Sequence, residues 1–196
     1  NGTVIYKETV KAPVTGIGHF EPLRHYAEVH LRLEPLPRGS GMVFDSEVSE
    51  DVLDGNWQRL ILTHLAEREH PGVLTGSPVT DMKITLTAGR GHLKHTEGGD
   101  FRQATYRAVR QGLKKAECIL LEPMYAFSAE VPIENLGRLL SDLNLFGAEC
   151  SLPENSEDGR SAVVEGRASV SSIGGYPAQI AAYTGGKGRI SLSYDG

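Results

Sequence analysis

Only two cysteines, Cys118 and Cys150, occur in 196 residues. Neither lies in a metal-binding spacing, and two lone cysteines fit a reducing cytosol better than a disulfide framework. No stretch of about 18 apolar residues is present, so no membrane-spanning helix is expected. No cationic, apolar and small-residue series opens the chain as a secretory leader would. The first residue is Asn1 rather than Met, which points to a piece of a longer protein. Neither G-x-x-x-x-G-K-[ST] nor G-x-S-x-G occurs. The nearest approach, TGGKGR at Thr184–Arg189, has no Ser or Thr after its lysine and follows a predicted helix instead of preceding one. It reads as a turn.

An excess of positive charge is also missing. The net charge is −5, which argues against a general nucleic-acid binder, and no DNA or membrane partner is expected. The average conceals a division. Residues 1–119 carry 15 Lys and Arg against 15 Asp and Glu, whereas residues 120–196 carry 5 against 10. All seven histidines fall in the first part. Contact with a polyanion is therefore expected to be local and confined to residues 1–119.

What is present is hydrophobic patterning typical of a folded α+β protein. Residues 4–10 read as a strand, followed by a loop with Gly16, Gly18 and Pro22. Ala27, Val29, Leu31 and Leu33 then alternate with Glu28, His30, Arg32 and Glu34, the mark of a half-buried strand. A turn-rich break, PLPRGSGM, precedes a short strand at VFDSEV. Residues 56–69 have helical spacing, ended by Pro71-Gly72. Residues 79–87 alternate again. After a polar loop, Asp100 is placed to cap a helix whose apolar stripe is Phe101, Ala104, Ala108, Gly112 and Ala116. Beyond residue 120 the order is strand (Tyr125–Val131), helix (Leu136–Leu143), a loop-rich short strand, strand (residues 162–169), helix (roughly 173–183) and strand (Ile190–Tyr194). That β-α-β-β-α-β order is ferredoxin-like. The boundary between the two domains, 1–119 and 120–196, falls where both charge and pattern change.

The polar loop, TAGRGHLKHTEGGDF at Thr87–Phe101, holds four glycines together with Arg90, His92, Lys94 and His95. Glycines let backbone N–H groups approach a phosphate, cations add attraction, and histidine can stack on a base. The other reading is a solvated connection. His92 and His95 lack a third ligand, so no metal is expected. Arg107, Arg110 and Lys114 share one helix face, either phosphate-facing or simply solvated. His64 and Glu67 form the best general-base pair available, although a histidine on an apolar helix face is ordinarily a hydrogen-bonded core residue. No catalytic residue is assigned.

Two longer segments carry a resemblance. HYAEVHLRLEPLPRGSGMVF (His25–Phe44) and GLKKAECILLEPMYAFSAEVPIENLGRLLSDL (Gly112–Leu143) resemble the C-terminal part of the elongation factor G superfamily. The first is most similar to tetracycline-resistance ribosomal protection proteins. YPAQIAAYTGGKGRISLSY (Tyr176–Tyr194) resembles the end of the superfamily's fifth domain. The resemblance implies that residues 1–119 are the fourth domain, a βαβ fold with a left-handed crossover, and residues 120–196 the ferredoxin-like fifth.

It further implies a parent GTPase, using GTP and Mg2+, whose G domain is absent from this sequence, so that the fragment itself is no enzyme and needs no cofactor. The implied partner is the ribosome. The fourth domain's tip loops, with His19, Phe20, Arg90, His92, Leu93, Lys94 and His95, would meet small-subunit rRNA at the decoding region and displace drug. The fifth domain would meet the factor-binding region of the large subunit. An elongation factor G paralogue acting in translocation or recycling is the alternative. At the apex, protection proteins carry aromatic and proline residues where this chain has His92, Leu93 and Lys94.

Overall fold

A computed structural model describes residues 4–23, 25–92 and 96–196. Leu93, Lys94 and His95, named above at the loop apex, lie outside the described residues. The chain divides into two compact units, residues 6–121 and residues 122–196 with Val4 and Ile5. Both are mixed α+β.

The N-terminal unit is built on a four-stranded sheet. Its strands are β2 (Val14–Phe20), β3 (Ala27–Pro35), β4 (Met42–Ser46) and β5 (Met82–Gly91), in the order β2-β3-β5-β4. β3 runs antiparallel to β2 and β5, while β4 is parallel to β5 and reaches it through α1 (Gly55–Ala66). α2 (Gly98–Lys115) follows β5, and a ribbon of β1 (Lys7–Val10) with β6 (Cys118–Leu121) closes the unit. The alternating positions do what their period demands. Ala27, Val29, Leu31 and Leu33 are fully buried, as are Met82, Ile84 and Leu86, against Ile61 and Leu65 of α1 and Phe101, Ala104 and Ala108 of α2.

The segment expected to be a loop around Gly16 and Gly18 is strand β2. Turn residues mislead here because the glycines serve another purpose. A Cβ on Gly16 would lie 2.0 Å from the carbonyl oxygen of Ala108, and one on Gly18 would lie 1.9 Å from that of Ala104. Glycine lets α2 lie directly on the strand, the close approach that an interior strand glycine marks. β5 extends past the expected end at residue 87 to Gly91, and α1 stops at Ala66, ahead of Pro71. Asp100 does not sit at the N-cap of α2. Glu97 does, and the two form a capping box in which Asp100 Oδ2 accepts the Glu97 N–H at 2.8 Å.

In the C-terminal unit the strands are β7 (Met124–Pro132), β8 (Glu149–Cys150), β9 (Glu154–Asn155), β10 (Ser161–Ser169) and β11 (Arg189–Tyr194). The sheet order is β11-β7-β10-β8, with β9 also on β10, antiparallel throughout. Helices α3 (Leu136–Leu145), α4 (Val170–Ile173) and α5 (Tyr176–Tyr183) complete it. This is the ferredoxin-like order, with its second strand split into β8 and β9 by Ser151, Leu152 and Pro153. Phe127, Ala129, Val131, Leu139, Leu143 and Ile180 form its core. The buried Tyr176 hydroxyl donates to Asp142 Oδ2 at 2.9 Å, tying α5 to α3. Among the described residues no helix is long and apolar enough to cross a membrane.

Candidate nucleic-acid interface

Strand register gathers two loops at one end of the N-terminal sheet. Phe20 pairs with Ala27, and Ala27 with Gly91. The end of the β2–β3 turn at Tyr26 therefore stands beside His92 and Thr96, the two ends of the β5–α2 connection. His19 and Phe20 lie within β2 and not in the turn itself. His19 is exposed, while Phe20 is half-buried against the core. Arg90, Gly91 and His92 are exposed at the end of β5. The turn presents Leu23, 99% exposed and held at φ 55, a backbone region that β-carbon sterics disfavour. Nothing in the periodicity singles out Leu23, because an isolated leucine after a proline gives no signal.

The electrostatics of this end centre on Glu28, whose side chain is only 14% exposed. His19 Nε2 lies 3.0 Å from one carboxylate oxygen. His30 Nε2 and Arg90 Nε lie 3.6 and 3.8 Å from the other. Burial and the neighbouring Glu28 charge push the Tyr26 hydroxyl above its ordinary pKa. Glu28 thus sets the positions of two of the predicted contact residues. Alternation places Glu28 and His30 on one face, but only the three-strand register brings His19 and Arg90 to them.

A second set of contacts ties the hairpin to α2. Arg107 Nη1 donates to the His19 carbonyl at 2.8 Å, Gln111 Oε1 accepts the Ile17 N–H at 2.9 Å, and Lys115 Nζ donates to the Thr15 carbonyl at 2.9 Å. These side chains recur every four residues and meet alternate residues of the edge strand, satisfying groups that would otherwise invite another strand. The Arg107 guanidinium also lies over the Phe20 ring, 5.2 Å from its centre. Of the three cations predicted on this helix face, Arg107 is engaged with the protein's own hairpin. Arg110 and Lys114 are exposed and make no ion pair among the described residues.

The remaining candidates resolve differently. His64 Nδ1 does meet Glu67 Oε1, at 3.1 Å, but the histidine is 2% exposed. Its other nitrogen is enclosed without a hydrogen-bond partner. Glu67 also accepts from the Tyr106 hydroxyl and pairs with Arg102 at 3.4 Å, so the group joins the end of α1 to α2. Among the described residues no cluster of three metal-ligating side chains occurs. The TGGKGR segment lies between α5 and β11. Thr184 Oγ1 donates to the Ile180 carbonyl at 2.6 Å and accepts the Gly188 N–H at 2.8 Å, closing the turn between α5 and β11 on itself.

Comparison with known families gives two matches, in chain order. Residues 2–117 match the model for elongation factor G, domain IV, and residues 119–196 match the model for the elongation factor G C-terminus. Among solved structures, the crystal structure of ttk003000868 from Thermus thermophilus superposes with a TM-score of 0.86 at 28% sequence identity. The match covers 100% of this chain and 29% of that one.

Proposed function

The chain belongs to the elongation factor G family, through its domain IV and C-terminal regions, and from that premise we propose that it is the ribosome-facing part of a translational GTPase working in the cytoplasm. The N-terminal unit meets small-subunit rRNA at the decoding region through the paired loops, and the C-terminal unit meets the factor-binding region of the large subunit. GTP and Mg2+ act in another part of the longer protein, and this part makes and breaks no covalent bond. The observation that carries the reading is the convergence of His19, Leu23, Arg90 and His92 at one exposed end of the sheet. Cations meet phosphates and histidine meets bases or 2′-hydroxyls there, while an exposed apolar side chain suits an unstacked base.

Within that reading the factor is of the ribosomal protection type, displacing tetracycline from the decoding region by steric competition. The similarity of His25–Phe44 to protection proteins supports it. The apex sequence favours a second reading, an elongation factor G paralogue in translocation or recycling, because His92, Leu93 and Lys94 stand where protection proteins carry aromatic and proline residues. Growth in tetracycline separates the two. Cells carrying the full-length protein are expected to outgrow cells carrying a version with Leu93–His95 replaced by glycine and serine. Equal growth, combined with stimulated translocation in a purified system, selects the paralogue.

A further inference from the structure

Thr96 stands at the junction of both loops. Its hydroxyl accepts the backbone N–H of His92 and donates to the Tyr26 carbonyl at 2.7 Å. Its own N–H donates to the His92 carbonyl at 2.9 Å. Residues 92 and 96 are thus joined twice, closing the base of the β5–α2 connection, and the same hydroxyl fastens that base to the β2–β3 turn. The fit is close: a Cβ on Gly91 would lie 3.1 Å from Thr96 Oγ1 and 3.2 Å from Phe101 Cζ. A second tie runs parallel. His25 Nδ1, from the turn, lies 3.0 Å from Asp100 Oδ2, the same oxygen that takes the Glu97 N–H at the start of α2. The β2–β3 turn, the end of β5 and the start of α2 meet here through three side chains, Thr96, His25 and Asp100.

We infer that Thr96 is a positioning residue, a clasp that fixes the base of the β5–α2 connection, at His92 and Thr96, to the β2–β3 turn at Tyr26 for contact with the RNA. This rests on the reading of that end as an rRNA contact. Preorganisation matters because each loop residue that must be ordered on binding costs affinity. Thr96 carries no charge and is half-buried, so its contribution is to geometry and not to phosphate attraction.

Two substitutions in the full-length protein test it. Thr96→Val keeps the shape and removes both hydroxyl bonds, while Thr96→Ser keeps the bonds. In the protein alone, amide hydrogen exchange at His92 is expected to quicken by about ten-fold or more in Thr96→Val, with thermal midpoint little changed, and to stay near wild type in Thr96→Ser. On purified ribosomes, Thr96→Val is expected to bind about ten-fold more weakly, with Thr96→Ser within about two-fold of wild type and the salt dependence of binding the same in all three. Equal exchange at His92 in the three proteins overturns the clasp whatever the partner. Affinity that falls only in step with the thermal midpoint overturns its positioning role. Wild-type protein that fails to bind ribosomes removes the rRNA reading, and the exchange result still decides the clasp.

Discussion

Glu8 is 1% exposed, yet its surroundings suit a carboxylate. The N–H groups of Leu74, Thr75 and Ser77 and the Thr75 hydroxyl all donate to it, at 2.8 to 3.1 Å. Burial pushes its pKa up, and those four bonds outweigh burial and hold it below its ordinary value of 4.5. A carboxylate depressed by folding adds stability that is complete above the unfolded value and is lost as pH falls through the folded one. Glu8→Gln places an amide among donors and is expected to cost about 1–3 kcal/mol near neutral pH. Urea unfolding between pH 7 and 3.5 checks this: wild type loses stability at the acid end, and the variant loses less. Glu28 is the other residue whose position outweighs its identity, since it gathers His19, His30 and Arg90 around one carboxylate. Arg110 and Lys114, further along α2, are exposed and make no ion pair among the described residues.

The contact between α2 and β2 decides how the tip is held. With glycine at residues 16 and 18, the helix backbone sits against the strand, and Arg107, Gln111 and Lys115 reach across to the edge. Gly18→Ala puts a methyl group 1.9 Å from one helix carbonyl, so a loss of about 3 kcal/mol or more is expected in the unfolding free energy. Gly99→Ala, in the first turn of the same helix with nothing within 4 Å, is expected to stay within about 1 kcal/mol of wild type. Equal losses would mean that helix and strand do not approach this closely. The same elements show what sequence alone conveys. Strand β3 is legible because its burial repeats every two residues, β5 because Met82, Ile84 and Leu86 alternate with polar residues in the sequence, and α2 because its stripe repeats at helical spacing. Strand β2 is not, since its buried positions are glycines and carry no hydrophobic signal. The polar, glycine-rich character of Thr87–Phe101 marks Arg90 and His92 as surface residues, and both are exposed. Glu28, Thr96 and Leu23 carry no such mark, because their significance lies in register, a hydroxyl bridge and a backbone angle.

At the scale of the whole molecule, the two units divide both charge and shape. Residues 6–121 supply a sheet that ends in paired loops, and residues 122–196 supply a compact acidic ferredoxin-like unit. The family models cover these parts in the same order, with the break at residue 118. The central claim is that the loop end of the first unit reaches small-subunit rRNA. It is tested most directly by tethering iron to a cysteine at the hairpin turn, Leu23→Cys, in full-length protein whose other cysteines are replaced, and mapping hydroxyl-radical cuts on bound ribosomes. A matching probe at Leu152→Cys, exposed in the second unit, reports that binding has occurred. Cuts from position 23 in decoding-region rRNA of the small subunit are the expected result. Cuts from position 152 alone, or from position 23 only in large-subunit rRNA, would contradict the account.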